Sequence, residues 1–197
     1  MKQLLCLLTS LSVFFACSTP NSKDSVKTYK ATTDITGKLM LPEKLPYGNY
    51  EITEQFTAYG YVLNTEPVAF KIDGSKTVVT VEKRNMPQKG IIRLQKNGEV
   101  FESVNKSDGV YQPVFANKGL AGAVYEITAA EDIITPDGTL RYARGTAADT
   151  VTTDKKGNAA SKPLYLGKYT VREIKAPYGT VLNGTPDTVE LTYAGET

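Results

Sequence analysis

One ten-residue stretch, Leu45-Pro46-Tyr47-Gly48-Asn49-Tyr50-Glu51-Ile52-Thr53-Glu54, occurs twice, and this duplication constrains the fold more than any other feature. Its second copy is Leu164-Tyr165-Leu166-Gly167-Lys168-Tyr169-Thr170-Val171-Arg172-Glu173. Downstream, Ala58-Tyr59-Gly60-Tyr61-Val62-Leu63-Asn64 reappears as Pro177-Tyr178-Gly179-Thr180-Val181-Leu182-Asn183, and the lag stays at 119 residues throughout. A lag held that long is an internal repeat, so the chain is an array of related modules. Thr32-Thr33-Asp34 and Gly37 also recur, as Thr152-Thr153-Asp154 and Gly157, with a lag of 120.

Each copy reads as a turn followed by a strand. Gly48 and Gly167 suit the positive φ of a tight turn. With a period of two, Tyr50, Ile52 and Glu54 share one face, as do Tyr169, Val171 and Glu173. A carboxylate on the face of two large apolar residues leaves two readings. Either the strand is ending and the Glu has reached water, or the Glu is buried and has a partner.

The rest of the chain consists of short alternating segments between turn signals. Leu39 to Leu41 is a brief strand. Pro67 to Ile72 and Thr77 to Val81 make a hairpin around Asp73-Gly74. Ile92 to Lys96 alternates and stops at Asn97-Gly98, with Lys96 on the face of Ile92 and Leu94. A polar excursion follows at 102–118, then a strand over Leu120 to Ile127 and a surface loop or hairpin at Asp137-Gly138. Strands over Thr150 to Thr153, from Gly167, and over Thr188 to Tyr193 finish the pattern. No segment holds a helical period over three turns, so the fold class is all-β, an antiparallel sandwich.

Residues 1–16 carry one Lys and then an apolar run too short to span a bilayer comfortably, which suits a signal-like leader. Residues 17–30 are polar and read as a linker. Cys17 after Phe-Phe-Ala resembles a bacterial lipoprotein cleavage position, which makes it a candidate lipidation site beside plain secretion. Membrane contact is then expected only through the leader or a lipid anchor. Both cysteines precede the folded part, so no disulfide is expected there. A net charge of +2 with interspersed signs argues against a nucleic-acid partner. The absence of His removes the commonest general base and metal ligand, so no metal or cofactor is expected.

These residues resemble the collagen-adhesin B-type (Cna-B) repeat, the SpaA-like pilin module of Gram-positive surface proteins. The resemblance rests on Leu45, Pro46, Gly48, Tyr50, Glu54, Gly60 and Tyr61 in one copy and on Gly167, Tyr169, Glu173, Ala176, Pro177 and Gly179 in the other. It extends to Gly119 to Ile127 and to the Asn-x-Pro-x-x-Gly junction at 85–90. It implies tandem transthyretin-like (inverse immunoglobulin) sandwiches. Residues 31–88 would be the C-terminal part of a first module, and 89–197 a second module lacking its last strand; both are then incomplete.

In many members of that family a Lys on the first strand bonds covalently to an Asn or Asp on the last, promoted by a Glu. Burial explains the reactivity, because desolvation favours a neutral amine and a neutral carboxylic acid. Carried over by position, Lys96 and Glu173 would be nucleophile and promoter of the second module, and Asn85 and Glu54 acceptor and promoter of the first. Neither module has all three, since Lys27 and Lys30 stand too close to Glu54 in sequence to serve. Other readings stand beside these: Lys96 snorkelling at a strand end and Asn85 as a turn residue before Pro87.

The implied function is a non-enzymatic stalk or spacer of a secreted, cell-surface adhesin or pilin-like protein. Its partners would be neighbouring surface-protein modules or host extracellular matrix. One alternative is direct matrix adhesion through the segments near 102–118 and 131–148. Another is a secreted carboxylate-based enzyme using Glu54, Glu131, Asp132 or Glu173, and a third is a small-molecule carrier lipoprotein resting on Cys17 alone.

Overall fold

A computed structural model describes residues 12–18, 27–34, 36–41, 44–76 and 78–195, with 12–18 and 27–29 known by backbone pairing alone. The described residues contain strands and no helix. They form two units, residues 1–88 together with 193–197, and residues 89–192.

The first unit holds β1 (Ser12–Ser18), β2 (Lys27–Thr32), β3 (Gly48–Phe56), β4 (Tyr61–Val62), β5 (Val68–Ile72) and β6 (Met86–Pro87). The second holds β7 (Lys89–Gly90), β8 (Arg93–Gln95), β9 (Asn97–Ser107), β10 (Val110–Gly119), β11 (Val124–Ala129) and β12 (Ile133–Ile134). It continues with β13 (Leu140–Tyr142), β14 (Ala147–Thr152), β15 (Asn158–Ala160), β16 (Leu164–Tyr165), β17 (Gly167–Lys175) and β18 (Asp187–Leu191). The main sheets run β2-β1-β3-β5 and β14-β11-β17-β18, all antiparallel. The two orders are the same once β3 is equated with β17, as the repeat requires.

Register carries the equivalence further. Phe15 stands opposite Ile52 and Val13 opposite Glu54, as Ile127 stands opposite Val171 and Tyr125 opposite Glu173. Ser12–Ser18 is therefore a central strand, the counterpart of β11, and Lys27–Thr32 is the counterpart of β14. The expected leader at 1–16 and linker at 17–30 overlap these two strands, and their residues 1–11 and 19–26 lie outside the described residues. A short continuous apolar run suits a strand covered on both faces as well as a leader, and periodicity does not separate them. Cys17 lies within β1, opposite Lys27 and Tyr50.

The second unit's core gathers Ile92, Ile127, Ile133, Leu164, Tyr169 and Val171. Tyr169 is fully buried, and its hydroxyl donates to the Tyr165 carbonyl at 2.7 Å; Tyr50 does the same to Pro46 at 2.8 Å. Burial holds the Tyr169 hydroxyl far above the ordinary tyrosine range, so it remains a donor. A positive φ is present at Gly167 (139°) and not at Gly48. At Gly167 an added Cβ would lie 2.5 Å from Ile133 Cδ1.

Three other expectations differ from what is observed. Residues 78–81 form no strand, because β5 pairs with β3 rather than in a hairpin. Residues 39–41 form no strand either, whereas their counterpart β15 pairs with β8. β8 ends at Gln95, just before Asn97-Gly98, but that dipeptide makes no reversal. The chain continues as β9, and the reversal comes at Asp108-Gly109, both with positive φ (51° and 80°), before β10 returns.

The duplicated Asp turns match in their backbone hydrogen bonds, and the Thr36 hydroxyl adds one at Asp34 only. Asp34 Oδ1 accepts from the backbone N–H groups of Thr36 (2.8 Å) and Lys38 (3.0 Å), and Asp154 Oδ1 from those of Lys156 (2.8 Å) and Asn158 (2.9 Å). They differ in what the turn glycine touches. A Cβ on Gly157 (φ +80°) would lie 2.2 Å from the Lys96 carbonyl oxygen, while one on Gly37 (φ +74°) meets nothing among the described residues.

Two predictions follow from these turns. Gly157→Ala is expected to cost at least about 2 kcal/mol more than Gly37→Ala, because it adds a backbone clash to a shared φ strain. Urea unfolding of the two variants measures the difference, and equal losses would show that the close approach to Lys96 is unimportant. The Thr36 hydroxyl and the turn N–H groups hold the Asp34 carboxyl below its ordinary range, and the Asn158 and Lys156 N–H groups do so for Asp154. A folded pKa below the unfolded one gives stability that is present above about pH 4 and is lost as pH falls through the folded value. The acid limb of the stability profile is therefore expected to flatten in Asp34→Asn and Asp154→Asn variants.

Candidate functional site

Strand alternation from Tyr50 and from Tyr169 carries Glu54 and Glu173 inward, and each residue is only 3% exposed. Of the two readings left open, the buried carboxylate with a partner is the one observed. In both copies one carboxylate oxygen caps the following turn. Glu54 Oε2 accepts from the Asn64 backbone N–H, and Glu173 Oε2 from that of Asn183, each at 2.9 Å. The Asn side chains then accept from Glu66 and Thr185 N–H groups (3.1 and 3.2 Å). Removing a carboxylate from water is costly, and an orphaned turn N–H is costly too. Each group therefore compensates the other.

The remaining partners divide between the copies. At Glu54, Asn85 Nδ2 lies 2.8 and 2.7 Å from the two carboxylate oxygens, 2.7 Å from Thr57 Oγ1 and 3.1 Å from the Val62 carbonyl. Asn85 is thus tied to the Glu by its side chain, just before β6. Lys27 and Lys30 lie on β2, which β1 separates from β3.

At Glu173, Lys96 Nζ is 3.0 Å from Oε1 and 3.2 Å from Oε2. The Lys96 side chain is 19% exposed and that of Glu173 is 2% exposed, so the pair is nearly dry. Lys96 arrives there because β8 pairs with β15 and its backbone is locked in place. Its N–H donates to the Gly157 carbonyl (2.8 Å), and its carbonyl accepts from Leu120 (2.9 Å). Glu173 Oε1 receives no well-aligned hydrogen bond, whereas Asn85 serves the same atom of Glu54. Tyr125 stands opposite Glu173; burial first, then the Glu173 charge, holds its hydroxyl above the ordinary tyrosine range. It is therefore a neutral neighbour of the pair.

The structure thus brings Lys96 to Glu173 and Asn85 to Glu54. Sequence reasoning did not find the capped turns at Asn64 and Asn183, although the repeat of Asn exactly ten residues after each Glu was a readable signal. It also missed Thr57, which completes the Asn85 pocket. Of the carboxylates in the enzyme alternative, Glu131 and Asp132 are spent on backbone groups: Glu131 accepts from Lys168 N–H and Asp132 from Arg144 N–H.

Breaking the pair from one side strands a buried charge. Lys96→Met is expected to cost about 3 kcal/mol or more, whereas the double variant Lys96→Met/Glu173→Gln recovers most of that loss. A urea-unfolding double-mutant cycle measures the coupling. A value near zero would mean that the 3.0 Å contact contributes nothing.

A model of the SpaA prealbumin-like fold domain matches residues 13–87 and 114–197. No curated protein matches the chain. Among solved structures, the Bacillus anthracis TIE protein aligns at 24% identity and a TM-score of 0.58, over 98% of this chain and 30% of that protein. GBS52, the minor pilin of Streptococcus agalactiae, aligns at 18% identity and a TM-score of 0.34, over 95% and 79% of the two chains. BcpA, the major pilin subunit of Bacillus cereus, aligns at 12% and 0.33, over 94% and 91%. The first likeness supports the fold, and this chain spans less than a third of that protein's length. Both matched segments carry a copy of the strand that ends in a buried Glu, one in each sheet, and on that match the chain belongs to the SpaA prealbumin-like fold family.

Proposed function

We propose that the chain is a non-catalytic load-bearing part of a cell-surface adhesin or pilin-like protein, a stalk or spacer built of repeated modules. Its partners are neighbouring surface-protein modules, and its place is outside the cell. The observation that carries this reading is the buried Glu at one register position in both sheets, with an amine at one copy and a carboxamide at the other. A duplicated polar site used for holding strands together fits a structural array better than a single active site does.

Lys96 with Glu173, and Asn85 with Glu54, are two half-sites of amide cross-linking chemistry. In the full reaction the lysine Nζ attacks the asparagine Cγ, forming a C–N bond. The Cγ–Nδ2 bond then breaks, and ammonia leaves with a proton that the Glu passes on from the amine. Among the described residues neither half-site contains all three groups, and no cross-link between them is expected.

Intact-mass measurement of the full chain tests this. The expected mass carries no deficit of about 17 Da, the loss of one ammonia that amide formation requires. A deficit of that size, abolished by Lys96→Arg, would overturn the half-site reading.

A further inference from the structure

The ribbon of β9 and β10 contributes no side chain to the Lys96–Glu173 pair. All of β9 and the Asp108-Gly109 turn fall in 88–113, the stretch between the two segments matched by the family. The ribbon is about 35 Å long at ~3.3 Å per residue.

Its pairing register assigns side chains to faces. Phe101 stands opposite Phe115, Val104 opposite Pro113 and Lys106 opposite Tyr111, all on one face of β10's alternation. The register shifts between Val114 and Phe115, which leaves Glu102 as an extra residue on β9. Without that bulge Phe101 and Val104 would point to opposite faces. With it, they share one. Glu102 turns to the other side and pairs with Lys118 at 3.0 Å.

Two contacts confirm the assignment. The Phe101 and Phe115 rings meet edge to face at 6.3 Å, and Lys106 lies 5.1 Å over the Tyr111 ring. On the opposite face Val114 and Ala116 are half-buried. The aromatic face is bare, with Phe101 56% exposed, Val104 50%, Tyr111 66% and Phe115 55%. A two-stranded ribbon gains little stability alone and needs a layer against one face. Pro113 removes an N–H from β10 and hinders pairing along that edge, so the face is the available surface.

Charge placement selects the occupant. Glu99, near the base, and Lys106, near the tip, flank the apolar centre on this same face. Two copies stacked face to face with strands antiparallel would set each Lys106 over Glu99 of the second copy. Phe101 would then meet Val104 of that copy, and Phe115 its Pro113. Stacking with strands parallel would instead crowd the two lysines at one end and the two glutamates at the other. We propose that this ribbon face is a homotypic contact, docking on the ribbon of a second copy of the chain in antiparallel, two-fold fashion. One ribbon face is smaller than a standard interface, so the contact is weak in isolation and acts between molecules held at high local density.

Sedimentation velocity of the full chain over a concentration series tests this. Reversible dimerisation is expected, weakened about tenfold or more by Phe101→Ser, a truncation at the centre of the contact. Lys106→Glu and Glu99→Lys are each expected to weaken it, and Lys106→Glu/Glu99→Lys together to restore it. Far-UV circular dichroism checks that each variant is folded. A chain that stays monomeric, or a dimer that ignores Phe101→Ser, overturns the proposal. So does failure of the double charge swap to rescue, or binding of immobilised matrix protein through the ribbon by a monomeric chain. None of these readouts depends on whether the Lys96 and Asn85 half-sites react.

Discussion

A carboxylate held out of water at the end of each repeated strand is the constraint from which the rest of this protein follows. An unpaired buried Glu would neutralise or unfold its surroundings, so each copy must bring it partners. Both copies solve part of the problem identically, with a turn N–H ten residues on. That turn in turn fixes where the chain goes next, toward β5 in one unit and β18 in the other. The other part is solved differently, by a carboxamide at Glu54 and by an ammonium at Glu173. A carboxamide is neutral and leaves the charge to be shared by two donor groups, the Asn64 N–H and the Asn85 side chain. An ammonium cancels it but must itself be positioned, which explains the tight backbone crossing of Lys96, Gly157 and Gly119. There a Cβ on Gly119 would come within 1.9 Å of the Lys156 carbonyl oxygen.

Much of this was legible because the repeat acts as its own alignment. A position that recurs with the same side chain after 119 residues has a role that local propensity cannot supply, and Glu after Tyr-x-hydrophobic is such a position. The all-β class and the inward Lys96 follow from alternation, whereas the nearness of Lys96 to Glu173 followed only from the family resemblance. The opening strands of the first module were hidden for a physical reason. Val13 to Cys17 is an unbroken apolar run, and its fitness for a leader and for a central strand rests on the same low polarity. Its counterpart Val124–Ala129 contains Tyr, Glu and Thr, so the repeat gave no help there.

The ribbon was misread for a different reason. Asn-Gly and Asp-Gly are both strong reversal signals, and the first of them, at Asn97-Gly98, lies in extended backbone. Gly98 serves close packing there, since an added Cβ would fall 2.6 Å from Leu120 Cδ1 and displace that side chain. A glycine required for close packing and a glycine required for a turn look the same in sequence. Only the pairing of Gly98 with Lys118 and of Ser107 with Val110 separates them.

Because the two units share one plan, each difference between them isolates one interaction. The Asp turns at Asp34 and Asp154 accept from the same backbone N–H positions, yet only the second is pressed against another backbone. The strand that supplies this contact also delivers the lysine, so the amine and the turn's packing arrive together at Glu173. Where no such strand is present among the described residues, at residues 38–41, the same turn stands without it, and residues 39–41 join no strand ladder among them. Regular structure in these modules therefore depends less on the propensity of a segment than on whether its neighbour is there. The strand-like sequence Leu39 to Leu41 remains irregular, while Asn158–Ala160, with poorer strand residues, is regular because β8 lies beside it.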